Sequence, residues 1–256
     1  LVTDTILSMK HSKYLLLFLV LLSQLFAAAQ TPIKVACIGN SITAGYDLKK
    51  NETYPIKLQA LLGSAYKVEN YGVSGTTMLK DPNDGNSNVD LDLSQWSYWE
   101  ADDPGRDKSG GKAEYDKALA SEPDIVIIKF GTNEARFGNW RSSTGYGKDN
   151  FYAHYVEFMN SFIAVNPNVT FYICYSLPSF KDQTDDQRNR IINEVIPVIK
   201  QLARKQNVHL IDLHSPFYDG YNRGLIIGPS DLVHPNADGA DVIANEVFKA
   251  IKMNAK

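Results

Sequence analysis

Cysteine is nearly missing: Cys37 and Cys174 are the only two in 256 residues. That excludes a disulfide-built scaffold and a cysteine-rich zinc site. A surplus of positive charge is missing too. The formal net charge is −3, so nothing in the overall balance points to nucleic acid or an anionic membrane surface as a partner. No apolar run reaches the roughly 20 residues needed to cross a bilayer. Disorder is excluded in turn, because 44% of the residues are hydrophobic and only 21% charged.

The amino-terminal segment has a logic of its own. Residues 1–8 precede the first methionine, Met9, and Lys10, His11 and Lys13 then form a short positive stretch. The apolar run Tyr14–Leu22 follows, interrupted by Ser23 and Gln24, and Ala27-Ala28-Ala29 supplies small residues for cleavage. This pattern predicts a signal peptide removed after Ala29 and a secreted or periplasmic protein. Residues 30–256 are then expected to form one domain, with no membrane partner once the signal is gone.

Beyond it, strand-like runs alternate with helical patterns. Strands are expected at 33–38, 66–71, 124–130, 169–175 and 208–213. Helices are expected at 54–62, 112–120, 151–165, 184–205 and 237–251. Such alternation predicts a parallel sheet covered on both faces, a three-layer α/β/α domain. Two stretches interrupt it, 76–111 and 135–148, and carry Trp96, Trp99 and Trp140. Insertions of that length are usually lids or binding loops. These rings can anchor the long loops by burial or stack on a sugar; Trp140 is the candidate substrate contact among the three, being close in sequence to Asn133.

Four short blocks fall where strands give way to loops. Gly39-Asn40-Ser41-Ile42-Thr43 follows the first strand. Its serine could present a hydroxyl at the sheet rim or simply cap a helix. Asn70-Tyr71-Gly72-Val73-Ser74-Gly75-Thr76 follows the second; Gly75 could offer a bare backbone N–H or be a plain turn glycine. Gly131-Thr132-Asn133-Glu134 follows the third, with an amide that could face the crevice or serve the turn. Asp231-Leu232-Val233-His234-Pro235-Asn236 precedes the last helix. A carboxylate three residues before a histidine on a turn can reach Nδ1 and leave Nε2 free to take a proton. His214 is the rival base, but Asp212 lies two residues away at a strand end, where both side chains project the same way.

The order of the four blocks resembles the SGNH hydrolases, also called GDSL esterases, over nearly the whole chain beyond the signal. The resemblance implies a flavodoxin-like fold with a five-stranded parallel sheet in the order 2-1-3-4-5. In that order Cys37 and Cys174 sit on strands that are not neighbours, so both are expected to be buried free thiols. The resemblance also implies Ser41 as nucleophile, His234 as general base and Asp231 as the group orienting it. It implies an oxyanion hole from the backbone N–H groups of Ser41 and Gly75 and the side-chain amide of Asn133. No metal and no cofactor are implied. The chain departs from the family twice, with Asn40 and Glu134 where aspartate is usual; both are candidate substrate contacts alongside Trp140. The segments 131–140 and 171–178 look more like the exported bacterial branch grouped with sialate and other carbohydrate O-acetylesterases. The expected partner is therefore a small-molecule or glycan ester. The alternatives are a lysophospholipase or thioesterase on the same machinery, and a non-catalytic glycan-binding module.

Overall fold

The computed structural model describes residues 31–80, 96–99, 110–136, 139–140, 147–180 and 186–254. The signal-peptide expectation lies outside the described residues. From Ile33 onward the chain forms one contact unit.

Its centre is a parallel sheet of β1 (Ile33–Gly39), β2 (Tyr66–Gly72), β5 (Ile125–Lys129), β6 (Thr170–Cys174) and β7 (His209–Ile211). They lie side by side as β2-β1-β5-β6-β7. Taken in sequence order, these five are 2-1-3-4-5, as the resemblance implied. In-register pairs such as Cys37 with Asn70 and Gly39 with Lys129 bring the carboxyl ends of the strands to one edge.

Alternation along the strands feeds two cores. Ala36, Ile38, Val126, Ile128, Phe171 and Ile173 face one layer. It holds α3 (Gly111–Ala120), α4 (Lys148–Val165) and α6 (Ile196–Gln206). Phe151, Tyr155, Phe158 and Phe162 of α4 fill it. Val35, Cys37, Val68, Ile127, Tyr172, Cys174 and Ile211 face the other layer. There α2 (Tyr54–Leu62) and α7 (Ala237–Asn254) supply Leu58, Leu62, Ile243, Ala244, Val247 and Ile251. Cys37 and Cys174 are both free and buried, separated by β5, and burial pushes both thiols well above the usual cysteine range.

Two features depart from the sequence expectation. The helix expected over 184–205 is divided. α5 (Gln187–Arg190) runs into a wider π-type turn, Ile191–Val195, before α6 begins. The wide turn lies just ahead of Pro197, whose ring would collide with the carbonyl four residues earlier in a regular helix. Within the first insertion, β3 (Thr76–Thr77) and β4 (Trp96–Ser97) form a short second ladder. Among the described residues, no helix is long and apolar enough to cross a membrane.

Candidate active site

The site begins where β1 ends. Gly39 has no room for a side chain: a Cβ there would stand 2.4 Å from Thr43 Oγ1 and 2.5 Å from the Lys129 carbonyl. The chain turns at Asn40 into a one-turn helix, α1 (Ser41–Ala44). The Asn40 side-chain oxygen accepts from Ile42 N at 3.2 Å and caps this turn. Ser41 is thereby the first helical residue at the sheet's carboxyl edge.

His234 arrives from the opposite end of the sequence. Its Nε2 lies 2.8 Å from Ser41 Oγ. Its Nδ1 lies 2.8 Å from both carboxylate oxygens of Asp231. The carboxylate holds the ring proton on Nδ1, so Nε2 is the acceptor for the serine hydroxyl. Asp231 Oδ1 also takes the backbone N–H groups of Val233 and His234 at 2.9 and 2.7 Å. Burial alone would raise the Asp231 carboxyl, but these bonds and the imidazole outweigh it and hold it below the ordinary aspartate range. The tight turn requires Leu232 at φ 61°, a left-handed conformation that a leucine adopts only when its surroundings impose it.

Two loops carry the other two candidate oxyanion donors, Gly75 and Asn133. Gly75 follows β2 at φ 80°, a backbone state suited to glycine. Asn133 follows β5, and its Nδ2 donates to the Thr76 carbonyl at 2.9 Å, joining the loops. Glu134 joins them again from beneath: its carboxylate accepts Met78 N and Gly131 N, each at 2.6 Å.

The three candidate substrate contacts need correction. Asn40 is 1% exposed and serves as the helix cap. Glu134 is fully buried and clamps the two loops. Trp140 is 3% exposed; its indole N–H donates to Glu194 at 2.6 Å, and its ring meets Phe151 edge-on. Packing energy decides for Trp140, since a large ring in contact with its own core is not free to stack on a ligand. Trp99 is buried likewise and donates to the Met78 carbonyl at 2.9 Å. His214, the rival base, turns Nδ1 to the Ser176 carbonyl, and Asp212 instead accepts the backbone N–H groups of His214 and Ser215.

Two residues were missed by sequence reasoning. Tyr46 stacks on His234 with ring centroids 4.3 Å apart and planes 29° apart. Its backbone N–H donates to the Ser41 carbonyl, so the turn that carries the serine also carries a ring against the base. Nothing in the sequence links positions so distant. Lys129 did leave a signal, being a lysine at the end of a strand otherwise apolar on both faces. It is fully buried, its Nζ donates to Thr132 Oγ1 at 2.8 Å, and burial pulls its ammonium down to about 7 against the attraction of Glu134.

Comparison with known proteins places this arrangement. The model of the GDSL-like lipase/acylhydrolase family matches residues 37–242, a span that holds both Ser41 and His234. The chain belongs to the GDSL-like lipase/acylhydrolase family. It is 29% identical over 244 residues to an acetylxylan esterase from Xylanibacter ruminicola. That alignment takes in 88% of this chain but 44% of the relative, so the chain spans less than half the relative's length. Solved structures share the fold. A lipolytic protein of the G-D-S-L family from Veillonella parvula superposes with TM-score 0.56 at 17% identity, over 86% of this chain and 98% of its own. A catalytic mutant of an acetylxylan esterase from Geobacillus stearothermophilus superposes with TM-score 0.53 at 20% identity, over 87% and 96%.

Proposed function

We propose that this GDSL-family chain is a serine ester hydrolase that removes O-acetyl groups from carbohydrates. One observation carries the chemistry: Ser41 Oγ, His234 and Asp231 stand in hydrogen-bond contact in the order nucleophile, base, orienting carboxylate. A serine hydroxyl is a poor nucleophile at neutral pH and needs such a base. His234 takes the Ser41 proton as the hydroxyl attacks the ester carbonyl. The resulting oxyanion is held by Ser41 N–H, Gly75 N–H and Asn133 Nδ2, donors that act most strongly where charge develops. His234 then protonates the departing sugar oxygen. Water attacks the acyl-enzyme with His234 again as base, releasing acetate and restoring the serine.

The acetylated glycan as substrate is supported by the relative that acts on acetylxylan. Export to the periplasm or medium is supported by the pattern over residues 9–29. The test combines two measurements. A fluorophosphonate should label the enzyme at Ser41, which a non-catalytic binding module would not permit. Acetate release from acetylated xylan, pectin and sialic acid should exceed hydrolysis of longer acyl esters. A preference for octanoate over acetate esters would instead indicate a lysophospholipase or thioesterase type of hydrolase.

A further inference from the structure

Beside the catalytic turn lies a set of aromatic rings that the ester chemistry does not use. We propose that Phe180, Tyr218 and Tyr221, with Arg188 among them, form a shelf that binds the sugar chain extending from the acetylated residue. This rests on the carbohydrate reading above and adds to it where the chain lies.

Three observations converge. The first is position. Phe180 is on the loop after β6, and Tyr218 and Tyr221 are on the loop after β7, so all three lie at the sheet edge that carries Ser41. Phe180 N donates to the Leu232 carbonyl at 2.8 Å, which ties the shelf to the turn between Asp231 and His234. The second is exposure. Tyr218 is 63% exposed and Tyr221 43%, whereas Trp99 and Trp140 are buried. These tyrosines do not anchor their loop by burial, and among the described residues neither phenolic oxygen has a hydrogen-bond partner. The third is order. The Tyr221 ring lies 6.3 Å from Phe180. The Arg188 guanidinium sits 5.2 Å from the Phe180 ring and 5.5 Å from that of Tyr218, a contact that steadies both rings by cation–π attraction.

A pyranose ring offers an apolar C–H face and a girdle of hydroxyls. The exposed tyrosine rings with their free phenols, and a guanidinium lying over one face of Phe180 and of Tyr218, match both. A fatty acyl chain fits poorly, because laying alkyl carbon over a cation desolvates the charge without pairing it.

The test is the double variant Tyr218→Ala/Tyr221→Ala. Acetate release from acetylated xylo-oligosaccharides of increasing length is compared with hydrolysis of p-nitrophenyl acetate, which has no chain to bind. Wild-type kcat/KM should rise with chain length. The double variant should lose about 10-fold on the longest substrate, while its p-nitrophenyl acetate rate and Tm stay at wild-type values. Unchanged rates on the long substrate would overturn the shelf. A parallel fall on p-nitrophenyl acetate would do the same, showing that the rings support the fold. A loss confined to p-nitrophenyl octanoate would reassign the rings to an acyl chain. If the wild type releases acetate from no oligosaccharide while still cleaving p-nitrophenyl acetate, the carbohydrate reading fails first and the shelf with it. If it does release acetate and the variant matches it, the shelf alone fails.

Discussion

The two halves of the site are held in different ways. Ser41, His234 and Asp231 meet through side-chain contacts at the rim, with Tyr46 lying half exposed against the imidazole. Gly75 and Asn133 stand on loops fastened from below by Glu134, which is fully buried. The rim half can lose a functional group without opening the core. The clamped half cannot, because its supports are also the partners of buried backbone N–H groups. Chemistry and stability should therefore separate at Ser41 in the first half, though not at Asp231, which also accepts two backbone N–H groups, and fall together in the second.

The largest effect expected is at the nucleophile. Ser41→Ala should lower kcat by about 10⁶-fold and leave Tm within a degree or two, measured by p-nitrophenyl acetate turnover and thermal denaturation. A large drop in Tm would break the contrast. Next, Asn133→Ala should slow turnover about 100- to 1000-fold through loss of one oxyanion donor, about 2.7–4 kcal/mol of barrier. It should also lower Tm slightly, because the bridge to Thr76 is lost.

Glu134→Ala sharpens the comparison most. It removes no group from the reaction, yet strands Met78 N–H and Gly131 N–H, at about 1–3 kcal/mol each. Tm and kcat should both fall, with kcat down about 10-fold or more. An unchanged Tm with reduced kcat would place Glu134 in the rim half.

The smallest effect lies at the start of the first insertion, where His154 Nδ1 accepts Lys80 N at 3.0 Å. Burial first, and then the Lys80 ammonium, hold His154 below the usual histidine range. The unfolded chain therefore takes up this proton before the folded one does. The stabilisation is present above about pH 6.5 and is lost as pH falls through the lower folded-state value. His154→Gln should flatten the decline of Tm between pH 7 and 5 relative to wild type, with activity at pH 7 unchanged. Equal slopes in the two proteins would show that His154 binds its proton as readily in the folded chain as in the unfolded one.

Much of the fold was legible because periodicity is local. The helix Tyr54–Leu62 has the expected ends, whereas the order of the five strands was legible only through the family resemblance. Where tertiary pairing sets the limits, the sequence was less informative. β7 is shorter than its apolar run and, among the described residues, pairs only with β6 at the edge of the sheet. The π-type turn before Pro197 and the β3–β4 ladder carry no periodic signature. At the site, Ser41, Asp231, His234 and Asn133 were legible as members of four short blocks, and the roles expected of them came from the resemblance that the order of those blocks carries. Asn40 and Glu134 were legible as unusual residues but not as buried ones, whereas burial was one of the readings open for Trp140.

By itself the sequence determined where the five strands of the main sheet form and which four loops reach one edge, while the order of the strands came from the resemblance those four blocks carry. Hydrophobic period and turn residues act over a few positions. Only the folded chain decided which side chains face the substrate and which face the core. Whether Tyr46 rests on His234, Trp140 is spent on Glu194, or Tyr218 stands open to solvent depends on packing between segments far apart in sequence, and no local pattern encodes that.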